Sequence, residues 1–211
     1  MNTDLLQLLA AQWPNTFPAR LRERIDSAFY EAFRYAETCD EPERRRVLGQ
    51  LRHYRQNEAL RIAGSEAGMS VAAPHTDPKG ERYAIVSNGP VRIGRTSVPA
   101  RDNRPRVAKH RLLLAALNGR LEPVSGNLFE PGLRVLSDDG LGVLVLTVNP
   151  DRSESQSEPA RILVGLPYSS LRGWHFLEPI EELIAAAAPE VEILVPDIAF
   201  AQMKKKLREN E

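Results

Sequence analysis

The chain has 211 residues, 42% of them hydrophobic and 27% charged, a composition that suits a globular protein large enough to bury a core without disulfide or metal staples. Its 28 Lys and Arg balance 28 Asp and Glu, so bulk charge argues for neither a nucleic-acid coat nor a membrane surface. Cys39 is the single cysteine and excludes an internal disulfide; no apolar run nears the roughly 18 residues of a membrane span, and the start lacks a basic, cleavable leader, so a cytoplasmic protein with no membrane association is expected.

Thr3 is placed to cap a first helix with Leu5, Leu6, Leu9 and Trp13 on its apolar side, stopped by Pro14. Pro18 suits the first turn of a longer helix running to about Thr38. Its Leu21, Ile25, Ala28, Phe29, Ala32 and Tyr35 recur at three- and four-residue steps. Asp40 and Pro42 open a third helix through Val47, Leu48, Leu51, Tyr54 and Ala59, ended by Gly64. Its other face carries Arg44, Arg45, Arg46, Arg52, Arg55 and Arg61. Helices joined by short turns predict a three-helix bundle over residues 1–64. The bundle has apolar surface for a single seam, so it should lean on the rest of the chain or on a second copy. Leu21, Ile25, Phe29 and Tyr35 are its candidate interface residues.

Residues 65–81 are small, polar and proline-containing and read as a linker. Residues 82–211 then form the expected α+β domain. Tyr83, Ile85 and Val86 meet Val91, Ile93 and Val98 across Asn88-Gly89, which predicts a hairpin. Asn103 and Pro105 open a helix carrying Val107, Leu113, Leu114 and Leu117, closed by Asn118-Gly119. Leu133, Val135 and Leu136 meet Gly140 to Val148 in a second hairpin. Asn149 to Glu158 has no apolar residue and reads as a mobile loop, and the Ile162 strand completes a meander. Glu178 and Pro179 open a helix with Ile180, Leu183, Ile184 and Ala187; Val191 to Val195 is a strand, and Asp197 caps a last basic helix. The expected fold class is α+β: the three-helix bundle, then a mainly antiparallel sheet in the order β-β-α-β-β-β-α-β-α with helices packed on one face. The order of the middle portion resembles that of profilin-like and GAF-like ligand or interaction domains.

No nucleotide-loop, nucleophile-elbow or zinc-protease motif occurs, and Arg92-Ile93-Gly94-Arg95-Thr96 shares with a phosphate loop only a glycine among cations. His53, His75, His110 and His175 lack a second His or Cys at ligand spacing, so neither metal nor cofactor is expected. Ser169, Ser170 and His175 could form a nucleophile–base pair; the competing expectation is a turn followed by a lid of Trp174, His175 and Phe176. Trp174 is a candidate protein-binding anchor. Asp138 and Asp139 suit a turn; Glu178, Glu181 and Glu182 suit a helix start, where negative charge meets the dipole.

The neutral total hides an asymmetry. Arg92, Arg95, Arg101, Arg104, Arg106, Lys109 and Arg111 face Asp102 alone, whereas residues 112–200 hold five Arg against thirteen Asp or Glu. Such a segment either pairs with the acidic half or forks onto an external anion. The expectation is a non-enzymatic interaction module that assembles with itself or a protein partner. The alternative is a nucleic-acid-binding or processing protein using residues 92–111.

Overall fold

A computed structural model describes residues 3–122 and 140–188. The protein is α+β, with five helices and one six-stranded mixed sheet among those residues. Helix α1 (Thr3–Gln12) is stopped by Pro14, α2 spans Phe17–Glu37 and α3 spans Glu41–Glu66. On α2 the buried stripe is Leu21, Ile25, Ala28, Phe29, Ala32 and Ala36; Tyr35 falls one step off it and is 61% exposed. Leu21, Ile25 and Phe29 are buried in the protein's own core.

The three helices do not form the expected bundle. Helices α2 and α3 pack along each other, while α1 lies chiefly against the last described helix, α5 (Ile180–Ala187). Arg22 of α2 ties to Glu181 of α5 at 2.7 Å. All four helices share a single apolar cluster with the sheet.

The sheet order follows the chain: β1 (Ser70–Ala72), β2 (Ile85–Asn88), β3 (Val91–Val98), β4 (Leu141–Val148), β5 (Arg161–Pro167) and β6 (Trp174–Pro179). Strand β1 lies inside the stretch expected to be a linker. Strands β2 and β3 form the predicted hairpin, with Gly89 at φ 52° in its tight turn. Pairing is antiparallel except between β3 and β4, which run parallel in register Val91↔Leu141 to Val98↔Val148. Two antiparallel meanders are thus joined by one parallel seam, and helix α4 (Lys109–Ala116) lies in the crossover. Every residue of β4 is buried, as its unbroken apolar run suits a strand covered on both faces.

Helices cover both faces, not one. Val143, Val145 and Val164 point to α1, α2, α3 and α5. Leu144, Leu146 and Leu163 point to Leu114 and Ala115 of α4. Two glycines set the spacing. A Cβ on Gly64 would lie 2.6 Å from a Val86 methyl, and one on Gly142 would lie 1.9 Å from the Leu114 carbonyl oxygen. Gly64 is therefore a packing residue within α3, not its end. Buried Asn118, just after α4, fastens that end of the helix to β4 and β5: its Nδ2 donates to the carbonyls of Gly142 (2.8 Å) and Pro167 (2.9 Å), and its Oδ1 accepts from the Gly142 N–H (2.9 Å).

Helix α4 begins at Lys109, not near Asn103, because the Asp102 carboxylate accepts the Arg104 N–H at 2.8 Å in a local turn and the chain stays extended to Ala108. Trp174 and Phe176 lie on strand β6, where a lid loop was expected. The loop Asn149–Glu158 is folded back onto the helices: Arg52 donates to the Gln156 carbonyl, and the Gln156 side chain donates to Asp151 O at 2.8 Å. The strand expected at Val191–Val195, the helix at Asp197 and the first arm of the second hairpin lie outside the described residues. No helix among the described residues is long and apolar enough to cross a membrane.

Candidate anion site

The inner face of α3 is polar for half its length. Its buried residues are Arg52, Gln56, Ala59, Leu60, Ala63 and Gly64, whereas Tyr54, expected in the apolar side, is 55% exposed. Arg52 and Gln56, one turn apart, sit where a core helix would carry leucines. Strand β3 changes character at the same level. Val91 and Ile93 point into the shared apolar cluster, and Arg95 and Ser97 follow on the same side of the strand.

The two polar stretches meet. Gln56 Oε1 accepts from Arg95 Nη1 at 2.7 Å and from Ser97 Oγ at 3.0 Å. Arg95 Nη1 also donates to the His53 carbonyl at 3.3 Å, and Nη2 donates to His53 Nδ1 at 3.3 Å. An imidazole that accepts at Nδ1 is neutral, with its proton on Nε2 facing Glu81 Oε2 at 3.0 Å. Burial, then the Arg95 charge, holds the His53 pKa below its usual value and keeps it in that form.

Around this network lies a cavity of about 700 Å³ between α3, the end of β3 and the β4–β5 loop. Helix α3 contributes Arg44, Arg45 and Arg52, and β3 contributes Arg95. Arg106 and Arg111 come from the segment entering α4 and from α4 itself, and Arg152 from the loop. Glu37 and Glu41 are the acidic lining residues, so seven guanidinium groups face two carboxylates.

Arg95 is 9% exposed and has no carboxylate within ion-pair distance among the described residues. Burial, with the Arg111 charge behind it, pushes its pKa down to about 9; burial alone takes Arg52 down to about 10. Arg111 is lowered by burial and by Arg106. Arg52 and Arg95 thus remain cationic at neutral pH. Arg52, Arg95 and Arg111 each keep a buried Nε–H with no hydrogen-bond partner. Leaving a charged donor buried and unmatched costs about 1–3 kcal/mol or more.

The predicted basic residues divide. Arg95, Arg106 and Arg111 line the cavity. Arg92 lines a smaller cavity of about 420 Å³ with Tyr83 and His110, next to α4. Lys109 pairs with Asp77 at 2.5 Å, Arg101 stands 3.7 Å from Asp151, and Arg104 is exposed. Arg101 is thus the segment's one ion pair with the acidic half among the described residues. Arg104 and Arg106 both precede α4. Arg44, Arg45 and Arg52 were missed as site residues because a run of arginines on one helix reads as a solvated face, and Arg152 because its charged, serine-rich stretch reads as a mobile loop. The readable signal was Arg52 and Gln56 interrupting the register that Ala59 and Ala63 continue.

The serine–histidine pair is not assembled. The Ser169 N–H donates to Glu122, and the His175 Nε2 is buried without a partner. Trp174 is half-buried, its indole N–H bonded to the Asn103 carbonyl at 3.2 Å. Asp138, Asp139 and Asp197 lie outside the described residues. No group of three or more His, Cys, Asp or Glu able to hold a metal occurs among the described residues. Neither a family model, nor a curated protein, nor a solved structure matches the chain.

Proposed function

We propose that the protein binds an anionic ligand in the arginine cavity and that this binding is its function. The supporting observation is Arg95: a buried guanidinium, still protonated, held in place by neutral acceptors and lining a cavity with six further arginines and only two carboxylates. A protein that needed only stability would fill the position with an apolar side chain. An anion supplies what the protein omits, because arginine forks match the oxygens of phosphate and carboxylate two at a time.

Thermal unfolding of the whole protein in chloride, sulfate, phosphate and citrate at one ionic strength tests this. Phosphate, sulfate or citrate should raise Tm saturably over chloride, and Arg95→Gln should remove the effect. If no oxyanion moves Tm beyond chloride, the proposal fails.

Self-association is a second reading. Leu21, Ile25 and Phe29 are committed to the internal core, and exposed Tyr30, Tyr35 and Tyr54 on α2 and α3 support it instead. Light scattering of the whole protein should give the mass of a dimer or larger; a monomer at all concentrations removes the reading.

A further inference from the structure

The cavity carries more positive charge than one anionic group can use. Its lining holds an excess of five positive charges, seven guanidinium groups over two carboxylates, with His53 neutral. A phosphate monoester brings about two negative charges, and each further phosphate in a chain adds roughly one more. The donors are also spread over separate walls. Arg52 and Arg95 stand on α3 and β3, Arg111 on α4, and Arg152 on the loop opposite, with Arg44 and Arg45 a further two turns along α3. Neighbouring charges among them repel one another: Arg111 lowers Arg95, and Arg106 lowers Arg111. A chain of phosphates would reach several of them at once and relieve that repulsion along its length.

The same cavity has an uncharged side. Phe33 and Ala36 of α2, Leu48 of α3, and Val98 and Pro99 at the end of β3 line it too. Gly49 adds no side chain there, and a Cβ on it would meet nothing within 4 Å. About 700 Å³ lies within the range of small-ligand and cofactor pockets. Two walls, α3 and the β4–β5 loop, are bridged by the bond from Arg52 to Gln156. A nucleic acid requires an open basic track instead, and Arg101, whose side chain is 90% exposed, stands outside the cavity lining.

Resting on the anion-binding reading above, we infer that the ligand is a small organic polyphosphate, of the chemical class of a nucleoside di- or triphosphate. Its phosphate chain lies along Arg95, Arg111 and Arg52, and its organic group lies against Phe33 and Leu48.

Calorimetric titration of the whole protein with inorganic orthophosphate, pyrophosphate and tripolyphosphate, and separately with ATP, tests this at fixed ionic strength. Affinity should rise at least tenfold from orthophosphate to tripolyphosphate, and ATP should bind at least as tightly as tripolyphosphate. Arg95→Gln and Arg111→Gln should each weaken tripolyphosphate at least tenfold with an unchanged far-ultraviolet spectrum, while Arg92→Ala should not. Orthophosphate or citrate binding as tightly as tripolyphosphate would overturn the polyphosphate assignment and leave anion binding standing. Tripolyphosphate binding far more tightly than ATP would overturn the organic part. A single-stranded oligonucleotide that outcompetes ATP at equal phosphate concentration would move the site to nucleic acid. If none of these anions binds, the anion reading fails with it.

Discussion

The layer between α3 and the sheet has two halves that obey opposite rules. In one, Ala59, Leu60 and Ala63 pack on Val86 and Ile93 with Gly64 letting the helix close to contact, and no polar side chain intervenes. In the other, a helical turn or two away, Arg52 and Gln56 face Arg95 and Ser97. Both halves are buried, yet the first gains about 1.5–3 kcal/mol for each large side chain it takes from water. The second holds Arg52 and Arg95 with no carboxylate at ion-pair distance among the described residues, at a cost to the folded state. The comparison separates two roles: the apolar half holds the fold, and the charged half weakens it, as the proposed anion site would require.

The largest effect should come from the apolar half. Leu60→Ala removes a side chain that is 1% exposed and should cost about 2–5 kcal/mol in urea unfolding. At roughly 2–4 °C of Tm per kcal/mol for a chain of this size, the loss is conspicuous. Tripolyphosphate affinity of the folded protein should stay within about threefold. A large loss of affinity would mean that the two halves are coupled.

The charged half should respond in the opposite direction. Arg95→Met removes a buried, unmatched cation while Gln56 Oε1 keeps its bond from Ser97. Tm of the free protein should rise by about 2–4 °C, equivalent to roughly 1 kcal/mol. The rise should be absent in saturating tripolyphosphate, which stabilises only the parent protein. A lower Tm without ligand would show that the bonds to His53 and Gln56 outweigh the burial cost.

Much of the fold could be read from the chain. The α2 stripe, the Asn88-Gly89 hairpin and the apolar run of β4 are local patterns whose period or turn chemistry leaves little choice. Elements that answer to distant partners could not be read in this way. Val47, Leu48, Leu51 and Tyr54 looked like the buried side of α3 because apolar spacing normally marks the core. A helix that walls a polar cavity inverts that rule, and Arg52 and Gln56 turn inward. Pro105 looked like a first-turn proline, and only the Asp102 turn delays the helix. Of the site, the basic segment contained Arg95, Arg106 and Arg111. Their convergence with Arg52, Arg44, Arg45 and Arg152 depends on the parallel seam and on the β4–β5 loop, which no short-range signal announces.

Acid should sharpen the contrast by a smaller amount. Burial lowers His53, His110 and His175 from the usual 6.5, and His110 falls to about 4 through burial and the nearby Arg111. Below pH 6.5 the unfolded chain takes up protons that these folded imidazoles refuse, so stability is full above that value and declines toward pH 4. His110→Gln should flatten part of that decline in Tm against pH, and a parallel decline in the variant would assign it elsewhere. The smallest effect belongs to the exposed Lys109–Asp77 pair: Lys109→Ala should leave Tm unchanged at physiological salt.

The parallel pairing of β3 with β4 also orders the assembly of the molecule in time. Each meander zips through neighbouring segments, with β2 meeting β3 across Gly89-Pro90 and β5 meeting β6 after a short turn. Strands β3 and β4 meet only when the whole stretch from Pro99 to Gly140 has closed, an entropic toll levied before any of its bonds form. Contacts of such long reach slow folding. In pulsed hydrogen exchange during refolding, the β2–β3 and β5–β6 amides should therefore gain protection before those between Arg92 and Val98 that face β4. Because Arg95 sits on that last-formed seam, the arginine cavity should appear only at the final step of folding.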